Sequence, residues 1–122
     1  MRIYTTDSGL TIKVGENARE NDLLIKTSHQ DAVWCHLENT PSPHAIIYSS
    51  NPDNDSLNAA YQLVKYFSKQ RNARISRMIS TKVRNIVRVD RERPGLVELK
   101  KSPSKKSIKS DVSCLKRFGI SA

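Results

Sequence analysis

Leu57, Ala60, Tyr61, Val64 and Phe67 stand at helical spacing and lay one apolar stripe along residues 56–70. Nothing else in the 122 residues carries such a stripe over a comparable length. One long helix cannot cover its own apolar face, so a sheet built from the remaining short runs has to lie beneath it.

Those runs can be placed in order. Residues 1–4 and 10–14 alternate and flank Thr6-Asp7-Ser8-Gly9, which predicts an opening β-hairpin. Asn17, with Glu20 three positions on and then Leu23, Leu24 and Ile25, predicts a short helix over 17–26. Residues 33–37 and 45–48 read as strands, and Ser56 or Asp55 caps the long helix, which runs to about Gln70. Residues 78–89 alternate and 96–99 follow a Pro94-Gly95 turn, which predicts a second hairpin. The reading is an α+β single domain: a mostly antiparallel sheet with one long and one or two short helices over residues 1–100. A basic Ser/Lys-rich tail follows over 101–122, flexible or weakly helical around 111–118, because it has few large apolar residues.

Charge is split along the chain. Residues 1–64 hold four Lys/Arg against eight Asp/Glu, and 65–122 hold seventeen against four, so the halves carry formal charges of −4 and +13. Such a field attracts polyanions. Cys35 and Cys114 stand alone and read as reduced thiols, with no disulfide framework and no metal site. No apolar run has the length of a signal-peptide core or a membrane span, so the expectation is a cytoplasmic protein without membrane contact. Residues 100–106 leave a nuclear address open.

Catalysis has little support: no nucleophile stands in a recognisable base-and-orienter set, and no phosphate-cradling glycine loop is present. Neither an enzyme nor a cofactor is expected. The candidate residues are instead those of a nucleic-acid-binding surface. Trp34, His36 and His44 lie on two neighbouring predicted strands, so their rings can converge, and Cys35 alternates to the other face from His36. Lys82, Arg84 and Arg88 share one face of a regular strand, where like charges repel unless solvent or a polyanion relieves them. Arg74 and Arg77 extend this basic stretch, and arginine's planar fork suits phosphate. With no helix-turn-helix, zinc-finger or paired-aromatic signature, backbone and shape recognition is the expectation.

Five blocks in this order resemble the NFACT-R domain. They are Tyr4 to Gly9; Ile12 through Gly15, Asn17, Asn21 and Asp22; Asp31 with Trp34 and His36; Pro43-His44-Ala45-Ile46-Ile47; and Thr81-Lys82-Val83-Arg84-Asn85 through Pro94-Gly95. Together they span residues 4–100. The resemblance implies an RNA-binding α+β domain of the NFACT proteins, which work in ribosome-associated quality control, read here as a stand-alone member. It adds Asn17 to the binding candidates, beside which Arg19 is also taken as one, and makes tRNA or ribosomal RNA the expected partner, with ribosome contact. A general nucleic-acid binder that also takes DNA, and a protein adaptor docking on the ribosome or an RNA-processing enzyme, are the alternatives. This chain departs from the family at Cys35, where members commonly have Phe, and at Pro41-Ser42-Pro43-His44 in place of Pro-Gly-Ser-His. Losing that glycine removes easy access to positive φ before His44.

Overall fold

A computed structural model of the chain describes residues 1–88 and 96–121. The opening hairpin forms as β1 (Arg2–Thr5) and β2 (Thr11–Val14), and Gly9 takes φ 90° in its turn, a conformation open to glycine at little cost. Then come α1 (Ala18–Thr27), β3 (Val33–Leu37), β4 (Ala45–Ile47) and α2 (Asn54–Tyr66). The chain continues with β5 (Ser76–Lys82), a 3₁₀ turn (Val83–Asn85), β6 (Ile86–Arg88), β7 (Val97–Leu99), β8 (Ser104–Ile108) and α3 (Val112–Arg117). Six strands form one antiparallel sheet in the order β1-β2-β4-β3-β5-β8, and β6 pairs with β7 apart from it. The α+β, mostly antiparallel reading holds.

Both faces of the sheet are covered, which explains why β4 is apolar throughout instead of alternating. On one face Ile12, Val14, Cys35, Leu37, Ala45, Ile47 and Met78 pack against Ala60, Leu63 and Val64 of α2 and Cys114 and Leu115 of α3. On the other, Trp34, Ile46 and Ile79 meet Leu24 and Ile25 of α1 together with Val83 and Ile86. Each such buried Leu, Ile or Val contributes about 1.5–3 kcal/mol relative to exposure.

Four local expectations are corrected. The cap of α2 is Asp53, not Ser56 or Asp55: its carboxylate accepts the Ser56 amide at 3.1 Å. The helix stops at Tyr66, short of Gln70, because the Lys65 ammonium gathers the carbonyls of Gln70, Arg71 and Ala73 and folds the chain back. The alternating stretch 78–89 is not one strand. Val83 and Ile86 are both buried, and a spacing of three puts them on one side of a 3₁₀ turn but on opposite sides of a strand. The hairpin partner of 97–99 is therefore only β6, and Val89 and Pro94-Gly95 lie outside the described residues.

The tail is the fourth. The short helix expected around 111–118 forms as α3, capped by Asp111, but residues 104–108 are not a flexible segment: they pair with β5 as the edge strand. Its few apolar residues are well placed: Ile108, Cys114 and Leu115 are buried, and Phe118 meets Tyr4 edge-on at 5.3 Å. The Gln62 side chain clasps the segment, donating to the Lys109 carbonyl and accepting from the Asp111 amide, both at 2.8 Å.

Candidate nucleic-acid interface

Trp34 and His36 project from the same side of β3, and His44 stands beside them at the start of β4. The rings converge as their strand positions predict. His36 stacks on Trp34 at 5.3 Å and 6°, while His44 stands edge-on to both, 5.4 Å from Trp34 and 4.9 Å from His36. The indole N–H donates to His44 Nδ1 at 3.1 Å, which requires that nitrogen to be unprotonated. His36 Nδ1 lies 2.5 Å from the Leu37 carbonyl, a contact that requires a proton on it. Burial lowers the His36 pKa from 6.5, so the ring is neutral at pH 7 with Nε2 as its acceptor.

These rings floor a pocket of about 640 Å³, walled by Asn21, the 39–42 loop and β7. Trp34 is 1% exposed and His44 2%, so neither is an open stacking platform, and the half-buried His36 is the ring within a ligand's reach. In the loop, positive φ falls on Asn39 rather than on Ser42. Ser42 Oγ accepts the Leu37 amide at 3.1 Å, which anchors the loop on the end of β3. Cys35 points to the opposite, α2-side core, where burial pushes its thiol pKa up.

The polar turn before α1 braces the rings. Asn17 caps the helix by accepting the Glu20 amide, and the Glu20 carboxylate reaches back to the Glu16 amide, each at 2.9 Å. Asn21 Oδ1 accepts the buried His44 amide at 3.0 Å, and the Gly15 amide donates to the His44 carbonyl at 3.0 Å. A Cβ on Gly15 would stand 2.0 Å from Asn21 Oδ1, so glycine is required by close approach. Asn17 is thus a capping residue here, and Arg19 stands exposed in the first turn of α1.

The basic candidates do not form one free face. Arg84 pairs with Asp31, and Arg88 forms a two-pronged bond to Asp22 at 2.6 and 2.8 Å. Lys82 donates to the Ser50 carbonyl at 2.9 Å. The 3₁₀ turn takes Arg84 out of line with Lys82, and the Arg84 and Arg88 charges are met by carboxylates inside the protein while Lys82 has a neutral carbonyl. Arg77 shares Glu38 with Lys105, at 3.4 and 2.8 Å, and the Lys105 bond holds the Glu38 pKa down. At about 3.3 Å per residue, Lys82 lies roughly 17 Å along β5 from Arg77. Arg74 is exposed, without an ion pair or hydrogen bond among the described residues. Sequence reasoning missed Lys65, Arg71, Lys105 and Lys109 as organised cations. Lys65 had a signal, since it falls four residues after Tyr61 and beside Val64, at the edge of the apolar stripe.

Among the described residues no cluster of three or more His, Cys, Asp or Glu could hold a metal ion, and no helix is long and apolar enough to cross a membrane. A family model described as the NFACT protein RNA binding domain matches residues 1–101. The chain belongs to that family. The Rqc2 homolog RqcH of Bacillus subtilis is 34% identical over 98 residues, covering 80% of this chain and 17% of that protein. The Rqc2 homolog RqcH of Streptococcus suis is 27% identical over 117 residues, 89% of this chain and 21% of that protein. The chain therefore spans about a fifth of these relatives, and as bacterial proteins they lend no support to a nuclear address. A solved structure of the C-terminal part of the fibronectin/fibrinogen-binding protein from Streptococcus suis shares the fold, with TM-score 0.86, 22% identity, and coverage of 94% of this chain and 47% of that one.

Proposed function

We propose that this NFACT-R domain binds structured RNA, tRNA or ribosomal RNA, as a non-catalytic module of ribosome-associated quality control. The family match over residues 1–101 carries the reading. Two features of the structure support it. The ring pocket offers the neutral His36 and its Nε2 acceptor to an unstacked base or a ribose hydroxyl, the features by which single-stranded parts of RNA are read. Around the same end of the sheet, where β3 ends and β5 begins, cations without carboxylate partners among the described residues collect: Lys69, Arg71 and Arg74 before β5, and Lys106 and Lys109 at β8.

Binding through phosphates releases counterions, so affinity should fall by about 10³-fold or more between 50 and 200 mM salt if six or more phosphates are contacted. Filter binding with tRNA, ribosomal RNA fragments and duplex DNA across that salt range tests the reading. Tighter, salt-dependent binding of one structured RNA supports it. Weak, length-dependent affinity for all three would point to an adaptor instead, and equal affinity for duplex DNA to a general nucleic-acid binder.

A further inference from the structure

On the sheet face away from the rings, the end of α2, residues 71–74 and residues 109–110 enclose a second pocket of about 540 Å³. It shares no lining residue with the ring pocket. Arg71, Arg74 and Lys109 line it, and among the described residues no carboxylate does. Asp111, next to Ser110 in the chain, turns its carboxylate to the Cys114 amide as the cap of α3.

Directly behind this wall lies Lys65, 1% exposed. Its ammonium donates to the carbonyls of Gln70, Arg71 and Ala73 at 3.1, 3.1 and 2.7 Å and to Ser110 Oγ at 2.8 Å, and makes no ion pair among the described residues. Carbonyl dipoles solvate a buried cation but carry no net charge to cancel it. Three positive groups therefore line one cavity and a fourth lies behind its wall, without a counter-ion among the described residues. Arg71 is also held in place. Its guanidinium lies 4.0 Å over the Tyr66 ring and its Nε donates to the Tyr66 carbonyl at 2.7 Å, which leaves its terminal amino groups without a partner among the described residues.

We propose that this pocket is a phosphate-binding site, taking a phosphate monoester or diester group. Arg71 and Arg74 supply paired N–H donors, while Lys109 and the buried Lys65 supply the field. A tetrahedral anion with several charged oxygens suits a cavity lined by two arginines and a lysine. The site stands on these residues alone and does not rest on the RNA reading.

The test is a ¹⁵N–¹H titration of the whole chain with inorganic phosphate at constant ionic strength, with chloride as the control. Phosphate should shift the Asn72, Ala73 and Ser110 amides saturably, and R74Q should weaken the apparent affinity about tenfold, the scale of lost charge-assisted hydrogen bonds. Because Arg74 holds nothing else among the described residues, R74Q should unfold at the wild-type temperature. Equal shifts with chloride, or unchanged phosphate affinity in R74Q, would overturn the site. A short RNA with and without a 5′-phosphate then separates the sources. Shifts at these amides with both RNAs assign a backbone diester, and shifts with the phosphorylated RNA alone assign a terminal monoester. Response to inorganic phosphate but to neither RNA keeps the site, assigns it to a small phosphate compound and removes this face from RNA binding.

Discussion

Replacing Gly15 by alanine tests how the polar turn holds the rings. The backbone there does not lie in the left-handed region, so the cost comes from contact alone. The new methyl would stand 2.0 Å from Asn21 Oδ1 and 3.0 Å from the Asn21 amide nitrogen, which α1 fixes through its bond to the Asn17 carbonyl. The side chain must give way, and the His44 amide, buried with its residue, loses its acceptor. An unsatisfied buried N–H costs about 1–3 kcal/mol and overpacking about 1–3 more, against a gain of about 0.4–1 from stiffening the unfolded chain. The net is a loss of about 3 kcal/mol. At about 4 °C per kcal/mol for a chain of this size, G15A should melt roughly 12 °C below the wild type.

Thermal denaturation followed by Trp34 fluorescence is the assay, because the chain's one tryptophan bonds to His44 and so reports the ring cluster. The cycle with N21A isolates the mechanism. N21A alone loses the His44 acceptor, but it also removes Oδ1, the atom the new methyl meets at 2.0 Å. The double variant should therefore melt close to N21A, with a coupling of about 3 kcal/mol, the whole cost of G15A alone. Additive losses, or a G15A midpoint within about 2 °C of wild type, would refute the reasoning.

K65M keeps the apolar stem but removes the donor from three carbonyls and Ser110 Oγ, and should cost about 2–4 kcal/mol in urea unfolding. Hydrogen exchange should rise first in residues 70–74 and 109–111, and uniform exchange with wild-type stability would contradict that anchoring role. Hydrogen bonds from the Ser8 hydroxyl and then Ser56 lower the Asp53 pKa from 3.8 to about 2, so the carboxylate binds protons less readily folded than unfolded. Its contribution is present above pH 3.8 and lost as pH falls towards 2; D53N should flatten acid unfolding in that window, and an unchanged acid limb would count against it.

How much of this was legible in the sequence depends on the reach of each signal. The Thr6–Gly9 turn, the Asn17 cap and the α2 stripe are local patterns, and each appears within a residue or a few of its expected place. The 3₁₀ turn was not legible, because residues 82, 84 and 88 fit a strand as long as nothing shows that Val83 and Ile86 are both buried. The order of the tail was underestimated for a related reason, although its short helix was expected. Composition counts Ile108, Cys114 and Leu115 as too few for a core, whereas a strand and a helix laid on a preformed face need only one or two buried residues each. Family resemblance marked Gly15, Asn21, Asp22 and Asp31 without their roles, since the Arg84–Asp31 and Arg88–Asp22 pairs join residues 53 and 66 apart in the chain.

Those two pairs change what the charge split means. Part of the −4 and +13 division is spent within the molecule, where basic residues of the second half meet acidic residues of the first: Arg84 with Asp31, Arg88 with Asp22, Arg77 and Lys105 with Glu38, Arg117 with Asp7. Among the described residues of the family motif, Arg84 and Arg88 are thus tied down, as ion pairs linking α1 and the neighbouring loop to the 3₁₀ turn and β6. Among the described residues, the cations left to act outward sit mainly outside the motif, in residues 69–74, on β8 and beyond it. Surface ion pairs add little stability one by one, but each cancels a charge that would otherwise reach the solvent. The field a polyanion meets is therefore set by Arg74, Lys106 and Lys109, with Lys82, more than by Arg84 and Arg88, whose charges are met by Asp31 and Asp22.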